Sequence, residues 1–399
     1  MPSDATLDYG EGLTAALLGL DALYGAERGK DARAGDGDIE RLVVLNLSTT
    51  HEPEPFSDYA DAQARFTELA AKAADLPEAD RRRYYAQTCG SAIAFSRWRT
   101  TGLAFPDQIA SFLHVPATPA REEDLDALRG EMRRMLVELG YAGSLDDQFA
   151  AWESRHRVPP DEVEATLNAL LSDAWDRTIE RLDVPAEKDD GMRVETVSGV
   201  PYNAMCDYGQ RIIRLNVDPT LTVPGLRHLA VHEGYPGHYV QFRRREVGYA
   251  AGVVPADALL SVVNTASSSV FEGIADVGVD LIGWQDEPDD RVGALLARYR
   301  SGIGTRAAWR LHAEGWDPAR VQEELLRDAL VGGEGWVDNR MRFLAADDRA
   351  TLVWSYWHGE PSVSAVWRRV RETPERLPDY VTYVYDRMHS PDSIAMFPG

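Results

Sequence analysis

Apolar residues recur along most of this chain at intervals of three and four, the period of a helix with one buried face. Within Gly12–Tyr24 the residues Leu13, Leu17, Leu18, Leu20 and Leu23 form such a stripe. The same spacing predicts helices at 57–75, 79–98, 122–140, 145–156 and 160–182. The last opens on Pro159–Pro160 with Asp161, Glu162 and Glu164 close behind, a proline-and-acid start that suits a helix N-terminus. Residues 184–191 are polar and read as a connection. Beyond them the texture changes. β-Branched residues in Met192–Val197 and Arg211–Val217 predict two short strands, pairing as a hairpin across the turn-rich stretch Tyr202–Gly209. Helical spacing then returns at 223–248, 255–284, 290–314, 317–330, 347–357, 361–372 and 376–388.

The pattern predicts a mainly α fold, a multi-helix two-lobed body with one small β element. Residues 1–183 would form an N-terminal helical lobe and 184–399 a second lobe with the β hairpin; one continuous two-lobed body fits equally well. Charge narrows the partners. With 42 basic and 65 acidic residues the formal charge is −23, which repels phosphate backbones and anionic bilayers, so neither nucleic acid nor membrane is an expected partner. Cys89 and Cys206 are too few for a disulfide framework or a cysteine-built metal site. Met1–Gly10 lacks the basic start and apolar run of a signal peptide, and no apolar run approaches the roughly 20 residues needed to cross a bilayer. The expected location is cytoplasmic.

One segment carries chemistry: His232-Glu233-Gly234-Tyr235-Pro236-Gly237-His238. Zinc hydrolases place two imidazole ligands and a general-base carboxylate around one water in this manner. The spacing is unusual. His232 and His238 are six residues apart, about 240° around a regular helix at 100° per residue. Pro236 and Gly237 lie between them and would bend the chain so that both rings reach one metal. His228 and His232, at i and i+4, are the competing pair and need no bend. Downstream, Glu272 and Asp276 share one face of an otherwise apolar helical segment. A metal is a natural partner for Glu272 there. Asp276, one turn on, is placed to take the other ring N–H of a liganding histidine.

These blocks resemble a large bacterial family of predicted zinc metallopeptidases, long carried as domain of unknown function 885. Its signature is His-Glu-Ala-x-Pro-Gly-His-His-x-Gln followed by Glu-Gly-Trp-Ala. Here the first block runs from His232 to Gln241, with Tyr239 in place of the second tandem histidine, and the later one reads Glu272-Gly273-Ile274-Ala275. Glu272 and Asp276 are also similar to the acids of the glutamate-ligand zincins. The likeness extends from about residue 190 to the C-terminus. The family's Asp-x-Gly-x-His block is reduced to His312, and its late tyrosine block is matched loosely at Tyr356 to Pro361. The resemblance implies a zincin-like body holding one Zn2+ per chain on His232, His238 and Glu272. It makes Glu233 the general base, and it puts His312 and Tyr356 where a developing oxyanion would be steadied.

Arg306 and Arg310, one turn apart, form a cationic face suited to clamping a substrate carboxylate. The function expected from all this is zinc-dependent hydrolysis of an amide or peptide bond in a small peptide or amino-acid conjugate. Two rivals stand beside it: a metal-dependent enzyme acting on a small metabolite without peptide cleavage, and a non-catalytic binding protein stabilised by its metal.

Overall fold

Side-chain caps set where several helices begin. Ser3 accepts the backbone N–H of Thr6 ahead of α1 (Asp4–Arg28), and the Asp58 carboxylate accepts from Ala60 and Asp61 ahead of α2 (Tyr59–Ala73). The computed structural model describes residues 2–29, 41–185, 191–285 and 287–398. In it β1 (Val43–Asn46) lies between α1 and α2, and α3 (Ala79–Thr101) and α4 (Phe105–Leu113) follow. Next come α5 (Glu122–Glu138), α6 (Leu145–His156), α7 (Val163–Arg181), β2 (Arg193–Val197), β3 (Ala204–Asp207) and β4 (Ile212–Asn216). The chain continues through α8 (Val223–Leu229), α9 (His238–Ala250), β5 (Leu260–Val262), α10 (Ser268–Leu281) and α11 (Pro288–His312). It ends with α12 (Pro318–Asp328), α13 (Gly333–Ala345), α14 (Val353–Trp367), α15 (Leu377–Tyr385) and α16 (Pro391–Ile394). The fold is mainly α with a small β element, as the periodicity predicts. Of the connection expected at 184–191, residues 186–190 lie outside the described residues.

Met1–Ala117, Gln241–Ile274 and His358–Gly399 form one compact unit. The leucine stripe of α1 is buried at Leu13, Leu17, Leu18 and Leu20, and α1 packs on α2 and α3. The helix expected over 255–284 is interrupted: β5 pairs antiparallel with β1, Val43 opposite Val262, before α10 begins. The separate helices expected at 347–357 and 361–372, the second opening on Pro361, are replaced by the single α14. Proline has no N–H to give the carbonyl four residues back, and the Arg298 guanidinium donates to that carbonyl, on Trp357. Helix α10 meets α14 backbone to backbone. A Cβ on Gly273 would fall 2.2 Å from the Gly359 carbonyl oxygen, and one on Gly359 would fall 2.0 Å from that of Ser269.

The same unit buries several charged groups. Arg81, 1% exposed, donates to the Met388 carbonyl at 2.8 Å and faces His389 Nδ1 at 3.2 Å. Arg245, also 1% exposed, donates to the Tyr385 carbonyl and to Gln241. Asp257 accepts the Tyr85 hydroxyl at 2.9 Å. Burial pushes its carboxyl up to about 6, against the pull of Tyr85, Arg81 and Arg245.

Thr118–Val240 and Ala275–Trp357 form the second unit. Its sheet has the order β2-β4-β3, with β2 parallel to β4 and β3 antiparallel to it. The predicted hairpin is therefore corrected. The two strands read from sequence are neighbours, but the stretch taken for a turn contributes the third strand, and it is β3 that doubles back onto β4 through Tyr208–Gln210.

Candidate metal centre

The helix expected as one piece over 223–248 is built in three. Thr222 caps α8 by accepting the Gly225 N–H, with Pro224 in the first turn. At Ala230–Gly234 the backbone widens: Tyr235 N–H reaches the Ala230 carbonyl five residues back, at 3.1 Å. Such π-type turns recur at functional sites because they displace side chains from the helical register. The Gly237 N–H then bonds the Val231 carbonyl at 2.9 Å, and α9 starts at His238. Position 237 admits no side chain, since a Cβ there would lie 1.9 Å from the His232 carbonyl oxygen. The bend is anchored by Tyr235, whose hydroxyl accepts the Met192 N–H at 2.6 Å and whose ring meets Trp175 edge-on. Tyr239, where the family carries a histidine, is fully buried against Tyr208 and Tyr235.

The break turns His232 and His238 toward each other, with ring centres 4.7 Å apart and planes 80° apart. His232 Nδ1 lies 2.9 Å from Asp276 Oδ1, leaving Nε2 as the other ring nitrogen. The donor atoms of His232, His238 and Glu272 lie within 4.8 Å of one another. A second group, His228, His232 and Asp276, satisfies the same criterion. The two differ in chemistry. Two donors on one tetrahedral zinc at about 2.0–2.1 Å sit about 3.3 Å apart, whereas His232 and Asp276 stand at hydrogen-bond distance. Asp276 is thus placed to orient the His232 ring rather than to act as a further donor beside it. His228 Nε2 is 3.5 Å from the same carboxylate oxygen. Burial draws its pKa down, against the pull of Asp276.

Glu233 is buried beside His232 on the widened turn, and β3 packs against this turn. The Cys206 thiol on β3 is pushed well above its ordinary pKa by burial, and the Glu233 carboxylate adds to the shift. That thiol is held neutral and unreactive. Gln241, the end of the first block, donates its amide to the Phe271 carbonyl at 3.1 Å, next to Glu272. The donor set of two imidazoles and one carboxylate suits zinc.

The remaining expected residues are placed elsewhere. Arg306 is paired with Glu122, and Arg310 with Glu324 and the Trp316 ring. Their charges are spent within the protein, which corrects the reading of them as a free carboxylate clamp. His312 Nε2 lies 2.7 Å from the Leu344 carbonyl. Tyr356 lies near Arg340, a residue sequence reasoning did not single out.

No family model and no curated protein matches the sequence. Two solved structures share the fold. One is described as a "putative lipoprotein" from Colwellia psychrerythraea, with TM-score 0.54 and 14% identity over 84% of this chain and 62% of that one. The other is described as a "putative lipoprotein of unknown function" from Shewanella oneidensis, with TM-score 0.52 and 14% identity over 84% of this chain and 70% of that one. This chain therefore spans less than two thirds of the first. Neither neighbour is described as a hydrolase or metallopeptidase, which overturns the expectation of a zinc-dependent enzyme cleaving amide or peptide bonds. No helix among the described residues is long and apolar enough to cross a membrane. What the comparisons establish for this chain is its fold, a mainly α one shared with two proteins each described as a "putative lipoprotein".

Proposed function

We propose that this chain is a metal-dependent protein holding one divalent ion, zinc by preference, on His232, His238 and Glu272. The observation that carries the reading is the pair of converging imidazoles, one fixed at Nδ1 by Asp276. A carboxylate on the far ring nitrogen sets the tautomer and raises the basicity of the ligating one. Such an ion supplies Lewis acidity and lowers the pKa of a bound water to about 7. Three protein ligands are the number found at catalytic sites, whereas structural zinc usually takes four. This favours an enzyme over a scaffold stapled by metal. Glu233, held against the same turn, is the carboxylate available to take a proton. The likeness of the two motif blocks to the metallopeptidase family supports the ligand set. Two free cysteines are compatible with a reducing, intracellular location.

The test is elemental analysis. Wild type dialysed against trace zinc retains about one ion per chain, His232→Ala retains little, and Glu233→Gln, which removes no ligand, retains the wild-type amount with an unchanged melting temperature. Full metal content in His232→Ala ends the proposal.

A further inference from the structure

Segments far apart in sequence converge in the first unit on a cavity of about 120 Å3. Arg81 comes from α3, Val253, Val254 and Pro255 from the segment after α9, Thr382 from α15, and Asp386 and Arg387 from just beyond α15. The cavity shares no residue with the candidate metal centre. Its apolar wall is firmly backed. A Cβ on Gly10 would fall 2.8 Å from Pro255 Cβ, and one on Gly248 would fall 2.3 Å from Val254 Cγ2. Helices α1 and α9 thus press against this wall, and close packing of that kind holds its shape.

The polar wall carries both signs of charge. Arg81, 1% exposed, is held by Asp80 at 3.2 Å and by the Met388 carbonyl at 2.8 Å. Arg387 Nη1 also reaches Asp80, at 3.5 Å. Asp386 receives Arg244 at both of its oxygens, at 2.5 and 3.0 Å. These contacts anchor the groups without exhausting them, since a guanidinium has five N–H donors and a carboxylate about four lone-pair directions. Thr382, one turn before Asp386, adds a hydroxyl. Burial and the neighbouring Arg81 guanidinium draw the Arg387 pKa down, while Asp80, Tyr383 and Asp386 pull the other way. A carboxylate brought beside Arg387 would favour its charged form.

We propose that this cavity binds a small apolar α-amino acid as its zwitterion. The ligand carboxylate takes parallel N–H donors of Arg387, its ammonium takes Asp386 and the Thr382 hydroxyl, and its side chain lies on Val253, Val254 and Pro255. Size limits the choice. A cavity of about 150 Å3 accommodates benzene, so one of about 120 Å3 suits a side chain no larger than that of valine. A plain organic acid would set a methylene against Asp386, and a plain amine would set one against Arg387. Either charge then loses water without gaining a partner, which is costly. This inference goes beyond the metal reading and does not require it.

The experiment titrates L-valine into purified wild-type protein by calorimetry, as isolated and after chelator treatment followed by dialysis. Three comparison ligands are isovalerate, which lacks the ammonium, isobutylamine, which lacks the carboxylate, and L-tryptophan, which is too large. Valine should bind at least tenfold more tightly than any of them. Arg387→Gln should weaken valine at least tenfold, Arg387→Lys should recover part of the loss, and Thr382→Val should weaken it severalfold. Arg83→Gln, at an exposed arginine paired with Asp392, should leave valine affinity unchanged. So should chelation, which lets this reading and the metal reading fail separately. Should Arg387→Gln not fold, Arg387→Lys and Thr382→Val carry the test. Isovalerate, isobutylamine or tryptophan binding as tightly as valine, indifference to the Arg387 and Thr382 variants, valine binding lost on chelation, or no binding of valine to wild type overturns the proposal.

Discussion

His232 Nδ1 and Asp276 Oδ1, from residues 44 positions apart, lie 2.9 Å from each other. The carboxylate therefore fixes which imidazole nitrogen remains available. Asp276→Asn keeps the size but can present its amide nitrogen where the carboxylate oxygen accepted a hydrogen bond. Zinc affinity should fall about 10- to 100-fold, the usual effect of losing an outer partner of a liganding histidine, while the metal-free protein melts within a few degrees of wild type. Competition against a fluorescent chelator measures this, and an unchanged affinity removes Asp276 from the site.

His238 and His228 compete for the second imidazole position. The bend brings His238 to 4.7 Å from His232, ring centre to ring centre, while His228 stands at 5.6 Å with its Nε2 toward Asp276. His238→Ala should abolish tight zinc binding, and His228→Ala should weaken it less than tenfold. Equal losses in the two variants would transfer the metal to the His228, His232 and Asp276 group.

Gly237 offers a purely steric test. A methyl group there meets the His232 carbonyl oxygen at 1.9 Å and the Val231 carbonyl oxygen at 2.4 Å, so Gly237→Ala must shift the backbone between the two histidines. The expected result is a destabilisation of several kcal/mol, in the range of severe backbone and overpacking defects, together with loss of bound zinc. Gly199→Ala, at a positive-φ glycine with open space around it, controls for strain without crowding. If Gly237→Ala binds zinc as wild type does, the widened turn is not what aligns the histidines.

Asp257 predicts a pH dependence with a definite sign. Its carboxyl titrates near 6 in the folded protein, above the value of about 3.9 for an unfolded chain. The folded state holds this proton more tightly, so the stabilisation is complete below about pH 4 and is lost as pH rises through 6. Two units correspond to about 3 kcal/mol as an order of magnitude. His389, whose pKa burial pulls well below the ordinary value, acts in the opposite direction over neighbouring pH values. The difference between wild type and Asp257→Asn in urea melts therefore isolates Asp257. Relative to the variant, wild type should lose stability between pH 4 and 7, and a flat difference refutes the assignment.

Helical periodicity was readable wherever one face of a helix is buried, as at Leu13 and Leu17 on α1. It failed where local sequence and tertiary partners disagree. Pro361 reads as a helix break, but Arg298, distant in sequence, satisfies the orphaned carbonyl and α14 runs through. Ala204–Asp207 has the look of a turn, and only its pairing to β4 makes it a strand. Helix α13 opens on Gly332, Gly333 and Gly335, which mimic a loop; the last is required by the approach of Asp218. In the candidate site the His232–Glu233–His238 block was legible because proline and glycine at 236 and 237 are the residues a bend requires. The engagement of Arg306 and Arg310 was not, since Glu122 and Glu324 reach them only in the folded chain.

The contact of Gly273 with Gly359 bears on how α10 can turn. Two backbones touching where side chains are missing act as a key in a slot. Rotating α10 by one residue would bring the side chain of Glu272 or Ile274 against the carbonyls of α14. Glu272 and Asp276 are thus locked to one clock position about the helix axis. Exchanging which acid faces the histidines would first require prising that slot apart, so the division of labour between the two carboxylates is set by an element that carries no charge at all.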